Sequence, residues 1–137
     1  MKTTKEILEE YGFWDDMARR KKREMQRLRD RKTSTAIVYS DTRGGEPETM
    51  EEYVARLAEL EDDMEEIKAL RFRAFSEILR LAFRLKSQKQ FDIIYRRYIH
   101  RDSWRRICRD TDVKKRSALD LHKRAVEELD QIRNTGT

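Results

Sequence analysis

Asp102-Ser-Trp-Arg-Arg-Ile-Cys-Arg-Asp-Thr111, then Asp112-Val113, then Lys114-Lys-Arg-Ser-Ala-Leu-Asp-Leu-His-Lys-Arg-Ala-Val-Glu-Glu-Leu129, is the stretch that decides the fold. It reads as a short helix, a tight turn and a longer helix whose exposed start is basic. Two helices set across each other by a short turn can project the second into the major groove of duplex DNA. This order favours nucleic-acid binding over catalysis.

The rest of the chain agrees with a helical protein. Its 137 residues suit one or two small domains. Charged residues make up 43% and hydrophobic ones 37%, with four glycines and one proline, so helix breakers are scarce. Such a composition points to long helices with coiled-coil character. Disorder is the alternative for so much charge, but the apolar residues recur periodically and argue against it. The lone Cys108 has no internal disulfide partner, which suits a reducing cytosol. No apolar run approaches the roughly 18 residues of a membrane span, and the N-terminus lacks a signal-peptide core. The expectation is a cytoplasmic protein with no membrane partner.

A first helix is expected from about Lys5 to Arg31. Thr3 and Glu6 have capping-box spacing, and Ile7, Tyr11, Trp14, Ala18, Met25 and Leu28 form a seam broken only by Lys21. Gly12 within it predicts local flexibility or a close contact. Residues 33–47 read as a linker, with Ile37-Val38-Tyr39 as a possible short strand and Ser40–Pro47 as turn chemistry. Thr49 and Glu52 announce a second helix. Its seam runs through Met50, Tyr53, Leu57, Leu60, Met64, Ile67, Leu70, Ala74, Ile78, Leu81 and Leu85. A rod with one apolar stripe must bury that stripe against something.

Charge suggests what. Residues 19–32 carry nine Lys/Arg against two Asp/Glu, whereas residues 46–66 carry ten Asp/Glu against one Arg. An antiparallel hairpin puts these opposed ends side by side, which sets orientation in coiled coils. The run Arg19–Arg23 is therefore read as a solvated or self-neutralised face rather than a nucleic-acid arm. Residues 84–133 hold fifteen Lys/Arg and eight Asp/Glu, so the surplus of positive charge sits in the C-terminal part. The expected domains are residues 1–86, a helical hairpin, and residues 87–133, a helix-turn-helix.

In that second domain Ser87 and Gln90 start a helix expected to reach about His100. Phe91, Ile94, Tyr95, Tyr98 and Ile99 supply one apolar face, and Trp104, Ile107 and Cys108 a second. Val113, Ala118, Leu121, Ala125, Leu129 and Ile132 supply a third. Opposite the last face lie Lys115, Arg116, Leu119, Asp120 and Lys123; with Lys114 and Ser117 they form the expected DNA-reading surface. Arg105, Arg106 and Arg109 on the shorter helix are placed to meet phosphates. Trp104 and Tyr98 read as core, His122 as a packed or hydrogen-bonded histidine, and Cys108 as a small buried hydrophobe. His100, His122 and Cys108 lack metal-site spacing. No phosphate-cradling loop or nucleophile elbow is present, so neither an enzyme nor a cofactor is expected.

Ser103-Trp104-x-x-Ile107-Cys108, a turn, then Ala118-x-x-Leu121-His122-x-Arg124-Ala125-Val126-x-x-Leu129 resembles region four of bacterial sigma factors. Over residues 91–130 it looks more like small phage and prophage proteins with region-four-like C-termini, in which Leu-His-x-Arg-Ala-Leu recurs. Their coiled-coil N-terminal parts carry a Tyr-Ser-Asp, Gly-rich loop, as at Tyr39-Ser-Asp41 and Gly44-Gly45. Some proteins of the family that the chain resembles, of the RinA and ArpU kind, are regarded as regulators of phage late transcription. This chain departs at Lys114, where Ser or Thr usually caps the recognition helix, and at Cys108 and Ala118, which replace Ala and Val.

The expected fold is all-α: an antiparallel hairpin, read from the seams and charge runs, followed by the sigma-region-four-like helix-turn-helix that the resemblance implies. The resemblance also implies binding to double-stranded DNA in control of phage or prophage genes. Dimerisation through the long helices is expected separately, because DNA half-sites commonly mirror a protein two-fold. Two alternatives stand beside it. One is a DNA-packaging recognition subunit; the other is an interaction module that contacts host RNA polymerase.

Overall fold

A computed structural model of the chain describes residues 2–33 and 48–135. The expected strand at Ile37–Tyr39 and the turn sequence at Ser40–Pro47 lie outside the described residues. Within them the protein is all-α. Helix α1 spans Thr4–Thr33 and α2 Met50–Ala82; α3 spans Gln88–Ile94 and runs on into a π-helical turn, Tyr95–Ile99. Helix α4 spans Trp104–Thr111 and α5 Lys115–Asn134. None of these helices is long and apolar enough to cross a membrane.

Hydroxyl caps set several helix starts. The Thr3, Thr49 and Ser87 hydroxyls each accept from the amide three residues on, those of Glu6, Glu52 and Gln90, at 3.1, 3.1 and 3.2 Å. Each satisfies one amide that the helix itself leaves without a partner. The periodicity of α1 holds as well. Ile7, Ala18, Met25 and Leu28 are buried, Tyr11 and Trp14 are half-buried, and the interrupting Lys21 is itself half-buried.

The chain divides into two compact units that do not follow the expected boundary at 86/87. One comprises residues 1–14 and 71–137, the other 15–70. Both long helices contribute to both units. A periodic seam shows which face of a helix is buried, but not where along its length the partner changes.

In the unit of residues 15–70, α1 and α2 run antiparallel. Ala18, Met25 and Leu28 are buried on the first helix, and Met64 and Ile67 on the second. Lys21 pairs with Asp63 at 3.3 Å, Arg29 with Glu61 at 3.9 Å and Arg31 with Glu48 at 3.7 Å. The order of these pairs is the antiparallel register expected from the opposed charge runs. All involve solvent-accessible side chains, so they specify register more than they stabilise. The seam of α2 is buried only in part. Leu57 and Leu60 are half-buried, and Met50, at the helix end, is 59% exposed, so the stripe is not buried along its full length.

In the other unit the core is formed by Ile7 and Leu8 of α1, Ile78 and Ala82 of α2, and Leu85. Ile93 and Ile94 of α3, Ile107 of α4, and Ala118, Ala125 and Leu129 of α5 complete it. Both α3 and α4 pack on α5. Thr4, buried at the start of α1, donates its hydroxyl to Asp130 of α5 and accepts from Arg133 Nη1 at 2.9 Å. The N-terminal turn of the chain is thus fastened to its last helix. Gly12 supplies the close contact expected of it, facing the Arg101 side chain.

The helix from Ser87 does not continue as α-helix to His100. The His100 amide donates to the Tyr95 carbonyl at 3.1 Å, five residues back, which accommodates one extra residue in the turn. That residue rotates the faces of Arg97 and Tyr98 relative to those of Phe91 and Ile94. Periodicity of 3.6 cannot show it, because a π turn leaves no compositional mark.

Candidate nucleic-acid interface

The turn between α4 and α5 is built by its own backbone. Asp112 adopts the left-handed conformation (φ 55°, ψ 43°), which Asp tolerates better than most residues. The Val113 amide then donates to the Cys108 carbonyl at 3.1 Å, and the Thr111 hydroxyl to the Ile107 carbonyl at 2.6 Å. Lys114 is the N-cap of α5, in extended conformation, and gives no side-chain bond to the helix amides. The first helical residue is therefore Lys115. Ser103 caps α4 by accepting from the Arg106 amide at 3.2 Å.

Behind this turn Ile107 and Ala118 are fully buried. The small side chain of Ala118 allows α4 to lie close on α5, whereas Cys108 is only half-buried rather than fully so as expected. His122 joins three elements. Its Nε2 lies 2.6 Å from Tyr98 Oη of the π turn, the two rings stack, and Trp104 of α4 meets the imidazole edge-on at 5.2 Å. Arg97 lies over the Trp104 ring, its Cζ 4.9 Å from the centroid. Burial pushes the His122 pKa below its ordinary value, and Arg97 and Lys5 push it the same way. Burial raises that of Tyr98. A neutral imidazole and a neutral phenol thus brace the inner side of α5, and Trp104 and Tyr98 sit with the core as the sequence suggested.

On the outer side, Lys114, Lys115, Arg116, Ser117, Leu119, Asp120 and Lys123 are all exposed, as are Arg105, Arg106 and Arg109 on α4. Every residue singled out for nucleic-acid contact is therefore accessible, including Leu119, an apolar side chain 41% exposed among cations.

Their charges are not equally available. Asp110 lies 3.6 Å from Arg106, 3.4 Å from Arg109 and 4.0 Å from Arg96 of the π turn, while Asp102 reaches Arg106 at 3.9 Å. Asp120 pairs with Arg124 one turn on, at 3.2 Å. Among the described residues no ion pair engages Arg105, Lys114, Lys115, Arg116 or Lys123. Arg96, Arg124 and the sharing role of Asp110 are not among the contacts expected from the sequence. For Arg124 and Asp110 the signal was present, as i,i+4 spacing from Asp120 and Arg106. For Arg96 it was absent, because the π turn brings it there.

The start of α5 is electrostatically unfavourable in isolation. Its first turn holds no acidic residue and begins Lys114-Lys115-Arg116, where the helix dipole is positive. Helix dipole and side chains together concentrate positive potential at one place. Comparison with protein-family models, with curated proteins and with solved structures gives no match for this chain.

Proposed function

We propose that this protein binds double-stranded DNA through α5 and regulates transcription of phage or prophage genes, as its resemblance to region-four-like phage regulators implies. The observation that carries the reading is the division of α5 into two faces. Ala118, Ala125 and Leu129 are buried inward, while Lys115, Arg116, Leu119, Asp120 and Lys123 lie on the exposed side. A helix braced from behind and cationic in front suits entry into a major groove, with base edges read from its N-terminal half. Arg116 and Lys115 are the base-reading residues of this proposal, Leu119 meets a thymine methyl, and Arg105, Arg106 and Arg109 hold phosphates. The protein acts as a homodimer in the bacterial cytoplasm, on DNA of the host nucleoid, with RNA polymerase as a second partner.

Footprinting across a host genome identifies the operator, and titration of that site tests the assignment. Arg116→Ala costs about 1–3 kcal/mol on the operator and relaxes preference at one base pair. Arg105→Ala weakens operator and random DNA alike. Equal losses on every sequence for Arg116→Ala would remove it from the reading face. Absence of any duplex binding at low salt would remove the proposed function.

A further inference from the structure

Apart from α5, the segment from just past α2 through α3 and its π turn carries a row of aromatic rings. Phe83, just past α2, stacks on Phe91 with centroids 5.3 Å apart and planes 14° from parallel. Phe91 stacks in turn on Tyr95 at 5.9 Å and 21°, and His100 closes the row edge-on against Tyr95 at 4.9 Å. The outermost ring, Phe83, is 69% exposed. It stacks on Phe91, and most of its surface meets solvent. A row of near-parallel rings ending in an open face is a template for one more flat ring.

Charges close in sequence to Phe83 and Phe91 select what that ring belongs to. Lys86 and Lys89 are exposed, and among the described residues no ion pair engages either of them. The carboxylate on α3, Asp92, is taken up by Arg96 at 2.9 Å. A second copy of this chain would bring the same cations to the same place, so this face repels itself. A flat ring joined to negative charge satisfies both features.

We propose that Phe83, Phe91 and Tyr95 form a stacking platform for an unpaired nucleobase, with Lys86 and Lys89 drawing the flanking phosphates. The site is separate from the duplex-reading face and needs single-stranded nucleic acid. Bases stack on such rings irrespective of sequence, because every base presents a π face.

Fluorescence anisotropy on the full chain tests it with three labelled probes. These are an oligothymidine of about 12 nucleotides, an abasic strand with the same number of phosphates, and a duplex. Oligothymidine is expected to bind about tenfold more tightly than the abasic strand. Phe83→Ala abolishes that difference and leaves duplex affinity unchanged, because its ring is exposed and outside α5. Phe83→Trp keeps the preference for bases, and Lys86→Gln with Lys89→Gln weakens both single strands. Equal affinity for the base-bearing and abasic strands, or an unchanged preference in Phe83→Ala, overturns the platform and leaves the face to a protein partner. The duplex probe reads the α5 proposal independently, so either can fail without the other.

Discussion

A Cβ built on Gly12 of α1 would lie 3.2 Å from Nε of Arg101, whose own backbone is left-handed (φ 60°). The obstacle is an exposed, flexible side chain rather than backbone, so Arg101 can shift by a few tenths of an ångström. Glycine inside a helix costs roughly 1 kcal/mol relative to alanine. Gly12→Ala is therefore expected to raise stability, by less than that full amount. A fall in the thermal midpoint would show that Arg101 is held too firmly to move.

Leu8 is fully buried against residues that follow it in sequence by some seventy positions or more, in the core that supports α5. Leu8→Ala is expected to destabilise the unit of residues 1–14 and 71–137 by about 2–5 kcal/mol. A fragment beginning at Ser87 lacks Ile7, Leu8, Ile78, Ala82 and Leu85, five of the eleven buried positions of that core. It is expected to show no cooperative melt. A fragment that melts sharply and binds duplex DNA would show that α3 to α5 fold without the long helices.

Lys114 caps α5 without bonding to it. Lys114→Ser offers the hydroxyl that bonds a free amide and removes a cation from the positive end of the helix. Stability should rise by about 1 kcal/mol. If the proposed interface is right, duplex affinity falls at the same time, with a shallower dependence on salt by roughly 0.9 in the logarithmic slope. Gain of stability with unaltered salt dependence would place Lys114 outside the DNA contact.

His122 holds its pKa below the ordinary 6.5 because it is half-buried beside Arg97 and Lys5. As the pH falls through about 6.5, the unfolded chain takes up a proton that the folded chain resists, so stability declines towards the lower folded pKa. Above that range the contribution is constant. His122→Gln should flatten the decline in thermal midpoint between about pH 7 and 5 relative to the parent protein. The substitution removes only the imidazole, so the difference between the two slopes isolates it. Identical slopes would mean that the folded protein accommodates the charged ring.

The sequence by itself determined the helices, their hydroxyl caps at Thr3, Thr49 and Ser87, and the antiparallel pairing of α1 with α2. It determined too that Arg116, Lys123 and their neighbours on α5 face outward, because Ala118, Ala125 and Leu129 recur at helical spacing and must be buried. The helices, caps and faces are local properties, set by period and cap chemistry along one element, and the pairing follows from opposed charge runs on two. Tertiary structure alone decided where partners meet. It brought Ile7 and Leu8 beneath α5, inserted the π turn that carries Arg96 to Asp110, and aligned Phe83 with Phe91. Such relations depend on how separate helices lie on one another, and an apolar stripe specifies a buried face without specifying what buries it.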